Sequence, residues 1–444
     1  MTHNHHEERV FSIDGLARVE GEGSLHLRLR NDHVEQVSLE IFEPPRFFEA
    51  FLRGRDFTEV PDITARICGI CPVAYQLSST AAMESACGVE VSQQVAAARR
   101  LLYCGEWLQS HALHVYLLHA PDFFGVDDAV QLARLDREAV ERGLRIKRTG
   151  NLIMETIGGR AVHPVNVAVG GFHRSPTRSE VISLAEPLRR ALDDALDTVD
   201  WVSSFDFPEL EREYLFVALR GNGSYPMESG NVALGEGLQV TARDFEALVI
   251  EEQVEYSTAL HARLKGAAGD GSYLTGPLAR FALNADLLTP LARQAAHSAG
   301  MGATTAEALS RCNNPFRSII VRAIEMVFAC EEGLRLVESY EPPDPPAVTV
   351  EPRAGMGVGI TEAPRGLLLH RYDIDERGII QMARIVPPTS QNQSTIESDL
   401  VAVAQEGIQL SDEELGWRLE QAVRNHDPCI SCSAHFLNVT LERG

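Results

Sequence analysis

Two CxxC motifs stand near opposite ends of this chain, Arg66-Ile67-Cys68-Gly69-Ile70-Cys71 and Asp427-Pro428-Cys429-Ile430-Ser431-Cys432-Ser433-Ala434-His435. Within each, the spacing lets both thiolates face one metal centre. If all four serve one centre, the fold must carry one end of the chain to the other. Four soft thiolates suit zinc, nickel or iron–sulfur centres, not magnesium or calcium. Small zinc ribbons keep their pairs close together, whereas these lie about 360 residues apart. A thioredoxin-like dithiol would use one CxxC beside a βαβ pattern, and no such pattern is present. Spacing alone thus puts a four-thiolate metal site first and leaves structural zinc and redox dithiols open.

Bulk properties narrow the setting. At about 150 residues per domain, 444 residues suggest roughly three domains, though one large core with excursions fits as well. Hydrophobic residues at 44% and charged residues at 23% are ordinary for a soluble globular chain. Eight cysteines in such a length are no disulfide scaffold. The start, MTHNHHEERVF, lacks the charged and apolar regions of a secretory signal and reads as a solvated tail, so the cytoplasm is expected. No run of about 18 apolar residues offers a membrane span. A net charge of −23 argues against nucleic-acid or anionic-membrane binding and is compatible with a protein partner.

The pattern along the chain predicts a mostly α protein with small β-rich regions, an α+β fold around a long helical bundle. Residues 9–42 alternate, with Ser24 to Arg30 and His33 to Ile41 flanking an Asn31-Asp32 turn. Helical pattern begins near Pro45 and carries Arg46 to Leu52; Pro72 opens another helix after the first motif. Residues 92–119 form a long helix candidate, and residues 150–173, rich in Gly, His, Asn and Pro, read as a packed loop. Amphipathic stretches follow at 177–200, 242–267, 287–298 and 304–340. Pro342-Pro343-Asp344-Pro345-Pro346 breaks the helical pattern, residues 347–386 read as β hairpins, and a last helix over 411–424 leads to Asp427-Pro428-Cys429.

The flanks of the cysteine motifs carry a resemblance. RxCGxC early and DPCxxCxxH late resemble the large subunit of nickel–iron hydrogenases. Arg18-Val19-Glu20-Gly21, Arg46-Phe47-Phe48-Glu49 with Gly54-Arg55, Ser110-His111-Ala112-Leu113-His114, Gly158-Gly159-Arg160 and Glu362-Ala363-Pro364-Arg365-Gly366 follow in the family's order. The wording of ARVEG, EPPRFFEA, SHALHVYLL, TEAPRG and DPCISCSAH is most similar to soluble bidirectional NAD(P)-linked hydrogenases, the sulfhydrogenase type included. The resemblance implies that the four cysteines hold nickel, Cys68 and Cys429 terminally, with Cys71 and Cys432 bridging to an iron that carries carbon monoxide and cyanide. It implies heterolytic cleavage of H2, with the Cys429 thiolate as base, Glu20 taking the proton outward, and Arg365 with Asp427 above the open metal position. It further implies magnesium held by Glu49, with Glu43 competing for that role, and by His435. A maturation protease then cuts after His435, so that residues 1–435 are one catalytic domain and 436–444 a removed tail. Two positions depart from the family: Tyr75 where a histidine is frequent, and Ser110 where many relatives have aspartate. Cys87, Cys104, Cys312 and Cys330 fit no ligand pattern and read as small buried residues.

No spare cysteine cluster remains for iron–sulfur centres, and no GxGxxG strand–turn–helix unit offers a nicotinamide site. The resemblance therefore implies a small subunit with iron–sulfur clusters, flavin-bearing diaphorase subunits reaching NAD(P), and nickel-insertion proteins. The alternatives are a structural zinc scaffold and the related quinone-site subunit of respiratory complexes, which lacks the nickel cysteines.

Overall fold

The computed structural model describes residues 8–30, 33–43 and 47–434. Its centre is a set of long helices, Pro72–Cys87, Gln93–Leu113, Arg137–Gly158, Ala185–Ser203 and Ser318–Glu338, which share one apolar core. No helix among the described residues is long and apolar enough to cross a membrane. The expected small β regions are present. Glu8–Ile13, Gly23–Arg30 and His33–Ile41 form an antiparallel sheet in that order, and Gly355–Ala363, Gly366–Ile374 and Ile380–Val386 form another.

Three segments differ from the sequence reading. The glycines of 150–158 do not make a loop: the helix Arg137–Gly158 runs through them. A Cβ on Gly150 would lie 2.5 Å from the Gly105 carbonyl oxygen, so the glycine serves a close helix crossing, and the irregular segment starts only at Gly159. The stretch 242–267 is helical only over Ala242–Leu248. Val249–Gln253 then pairs antiparallel with Leu260–Leu264, which suits the β-branched Val249 and Ile250. The helix Pro388–Glu406 lay hidden in a polar sequence, because its first turns bury Thr389, Ser390, Gln391, Asn392 and Gln393 rather than apolar residues. Its signal was Pro388 at the first turn and apolar Ile396, Leu400, Val403 and Ala404 at helical spacing.

Two further features position the site. The helix expected over 92–119 widens after Leu113 into a π turn, His114–His119, a distortion often found at functional sites. The closing helix Asp412–Asn425 is capped by Ser411 and Glu414 in a reciprocal box with three acidic residues in its first turn. It delivers the second cysteine motif into the core.

Candidate metal centre

The first motif is shaped by its own amides. Cys68 is extended, and its sulfur lies 3.4 Å from the Ile70 amide and 3.3 Å from the Cys71 amide. Pro72 then opens the helix, and Cys71 offers no side-chain cap. The amides of Val73 and Ala74 instead donate to the buried carboxylate of Glu106, at 2.6 and 3.0 Å. Burial pushes the Glu106 carboxyl well above the usual range, against the pull of those two amides. The second motif is fixed from two sides. The Cys429 amide donates to Thr389 Oγ1 at 2.9 Å, and the Ile430 amide donates to the Glu20 carbonyl at 3.0 Å.

These local folds bring the four sulfurs of Cys68, Cys71, Cys429 and Cys432 within 4.8 Å of one another, all buried. Cys68 Sγ lies 3.0 Å from Cys71 Sγ and 3.6 Å from Cys429 Sγ. Hydrogen bonds from Cys429, Cys432 and Cys71 hold the Cys68 thiol well below its ordinary range. Burial pushes the Cys429 and Cys432 thiols up. One thiolate is stabilised by hydrogen bonds from its neighbours' S–H groups; four thiolates this close repel one another unless a cation lies among them. The donor set therefore fits a soft metal, and it is the one such grouping found among the described residues.

Polar groups surround the sulfurs unevenly. Glu20 Oε2 is 3.1 Å from Cys429 Sγ and accepts from the Ser431 amide at 3.1 Å, while the Ser431 hydroxyl donates to Oε1. Arg365 Nε stands 3.1 Å from Asp427 Oδ1, both buried, yet the contact is not aligned as a hydrogen bond. All three Arg365 nitrogens and both Asp427 carboxylate oxygens are left without hydrogen-bond partners. Burial opposes the Arg365 charge, but Asp427 and the sulfurs of Cys429, Cys71 and Cys68 outweigh it and keep the guanidinium protonated. Tyr75 is buried with its hydroxyl unpartnered and meets His370 edge-on at 5.6 Å; burial raises its pKa. Ser110 Oγ is likewise buried and unpartnered.

The structure thus gathers Cys68, Cys71, Cys429, Cys432, Glu20, Arg365 and Asp427 in one place. Glu49 accepts from the Ile385 amide at 2.7 Å; Glu43 accepts from the Glu22 amide at 3.1 Å and packs at Gly21 beside Ile430 and Ser431. His435, the residues after it and Arg46 lie outside the described residues. Cys87, Cys104, Cys312 and Cys330 are buried free thiols. Sequence reasoning passed over Glu106, Thr389 and Ser431. Glu106 had a signal, a lone carboxylate within the apolar run Leu101 to Leu108; a hydroxyl such as Thr389 had none.

Comparisons with known proteins point to one family. A family model described as nickel-dependent hydrogenase matches residues 46–143 and 283–435. The chain is 34% identical over 441 residues to sulfhydrogenase 2 subunit alpha of Pyrococcus furiosus, covering 97% of this chain and 100% of that one. It is 32% identical over 432 residues to sulfhydrogenase 1 subunit alpha of the same organism, covering 96% and 98%. Among solved structures, an NAD+-reducing NiFe-hydrogenase in the H2-reduced state matches with a TM-score of 0.85 at 28% identity, covering 96% of this chain and 99% of that chain.

Proposed function

Because the chain belongs to the nickel-dependent hydrogenase family, we propose that it is the catalytic large subunit of a cytoplasmic nickel–iron hydrogenase that cleaves H2 reversibly and exchanges the electrons with NAD(P) through partner subunits. The observation that carries this reading is the buried set of four thiolates, two from each end of the chain, under an arginine whose donors are unpaired. In this reading Cys68 and Cys429 would be ligands to nickel, and Cys71 and Cys432 ligands to both nickel and an iron that would carry carbon monoxide and cyanide. Nickel and iron bound there supply the Lewis acidity that lets H2 lose a proton.

The chain's own residues do the rest. Cys429 Sγ accepts the proton, and Glu20 Oε2, 3.1 Å away, accepts it in turn: the S–H bond breaks and an O–H bond forms. Ser431 holds the Glu20 carboxylate through both its amide and its hydroxyl. Arg365 remains charged throughout and presents its free donors to the centre, held near Asp427. Burial of all four cysteines keeps bulk water away.

In the same reading, magnesium would be held by Glu49 and His435, with Glu43 competing, and residues 436–444 would be removed after metal loading; an intact mass that runs through Gly444 in active enzyme would refute that cleavage. Electrons leave through the iron–sulfur clusters of a small subunit and then flavin-bearing diaphorase subunits. The likeness to an NAD+-reducing enzyme supports that route. The test is an anaerobic assay of the complete complex under H2 with NAD+, NADP+ and a viologen dye. Reduction of either nucleotide is expected; dye reduction without nucleotide reduction overturns the NAD(P) coupling.

A further inference from the structure

We propose that Asp122 is a positioning residue for the Cys429–Glu20 proton pair and acts through two arginines, Arg18 and Arg424; this rests on the role given to Glu20 above. Asp122 lies on the short helix Ala120–Phe123 that follows the π turn. Its Oδ1 accepts from Arg18 Nη2 at 2.6 Å and from Arg424 Nη2 at 2.7 Å, and its Oδ2 accepts from Arg424 Nε at 2.7 Å. All three side chains are buried or nearly so. Arg424 Nη1 also donates to the Ala17 carbonyl at 2.8 Å, and Arg18 Nη1 donates to the Leu118 carbonyl at 2.7 Å. His114 Nε2 lies 2.8 Å from the Arg424 carbonyl.

One carboxylate therefore fastens three segments together: the loop leading to Glu20, the helix end leading to Cys429, and the π turn. Arg18 takes a left-handed backbone, φ 56°, two residues before Glu20, and Asp427 takes φ 50° two residues before Cys429. Both segments turn sharply just before Glu20 and Cys429 bridge, so their alignment depends on what holds them immediately upstream. Apolar packing would stabilise such a junction at least as well as a buried ion triad. What the triad adds is direction, since planar guanidiniums bind a carboxylate in a fixed plane. The alignment matters because proton transfer needs the heavy atoms within about 2.6–3.2 Å. The Cys429–Glu20 contact stands at 3.1 Å, a close approach for sulfur, whose hydrogen bonds run longer than those of oxygen or nitrogen. Losing the upstream hold lengthens it while the four cysteines stay in place.

The experiment compares Arg18→Gln, Asp122→Asn and Glu20→Gln in the complete complex. Arg18→Gln is the gentler change, since it leaves the Asp122–Arg424 pair intact and removes the bonds of Arg18 to Asp122 and the Leu118 carbonyl. Nickel content and the infrared bands of the metal ligands are measured first, then H2 oxidation in H2O and D2O. Arg18→Gln and Asp122→Asn are expected to keep nickel and bands, to lose about tenfold in turnover, within the ~100-fold that a 1 Å misplacement costs, and to show a larger solvent isotope effect, as Glu20→Gln does. An Arg18→Gln complex with wild-type turnover, or with reduced turnover and an unchanged isotope effect, overturns the proposal. If Asp122→Asn fails to fold or load metal, Arg18→Gln alone decides. Wild-type turnover in Glu20→Gln instead removes the Glu20 reading itself.

Discussion

Two buried arginines lie close together and are treated in opposite ways. Arg280 is fully satisfied: Nε and Nη2 donate to Glu325 at 2.7 and 2.8 Å, and Nη1 donates to Glu362 Oε2 and the Ala363 carbonyl, each at 2.9 Å. Its guanidinium also stacks over Trp107 at 4.3 Å. Arg365, three residues beyond Glu362 and equally hidden, has one misaligned ionic contact and no hydrogen bond. The two are mechanically linked, because Arg280 Nη2 also donates to the Pro364 carbonyl at 3.3 Å. A saturated charge network thus grips the turn that presents an unsaturated charge to the thiolates. Buried polar groups are normally paired, so the unpaired one marks where a ligand belongs and the paired one marks the frame.

Substitutions can break this comparison in either direction. The largest effect is expected for Arg280→Met, which strands Glu325 and Glu362: a loss of about 3–5 kcal/mol in unfolding free energy, read by denaturant titration. Arg365→Lys should instead leave stability within about 1 kcal/mol while lowering H2 turnover by roughly 100-fold, the scale for removing a preorganised charge. Equal stability losses in the two variants would erase the distinction between frame and site.

The smallest effect is in pH. Burial lowers His370 to about 3 and His261 to about 4. Above about pH 6.5 both folded and unfolded forms are neutral; below it the unfolded chain takes up protons the folded chain refuses, so stability falls as pH drops toward those values. Glu362 runs the other way: burial, against the pull of Arg280, raises it to about 7. Its folded form binds the proton more tightly, and stability is lost as pH rises from about 4.5 to 7. The difference between wild type and His370→Gln isolates the histidine share. The Tm of the variant should decline less between pH 6.5 and 5; parallel curves would mean that His370 is not held neutral.

Much of the site was legible because its chemistry sits in dense local motifs. The two cysteine pairs, Glu20 beside its glycine, and Arg365 after its proline are short patterns, and the structure gathers them. The hairpin over Gly23–Ile41 and the sheet after the proline run were equally readable, since alternation is a local signal. What escaped depends on distant partners. Gly150 looked like a loop residue until Gly105 lay across it. The helix Pro388–Glu406 looked too polar, because its amides and hydroxyls are satisfied or buried by other segments: Asn392 by Thr275, Thr389 by Cys429. Nothing near Asp122 in sequence announces Arg18 and Arg424.

The central claim is that the four buried thiolates hold nickel and iron. The most direct test is nickel, iron and zinc analysis of the anaerobically purified, matured complex, paired with infrared spectroscopy. The account predicts nickel stoichiometric with the chain, together with carbonyl and cyanide stretching bands. Zinc in place of nickel, with no such bands, would contradict it and leave a metal-stapled scaffold.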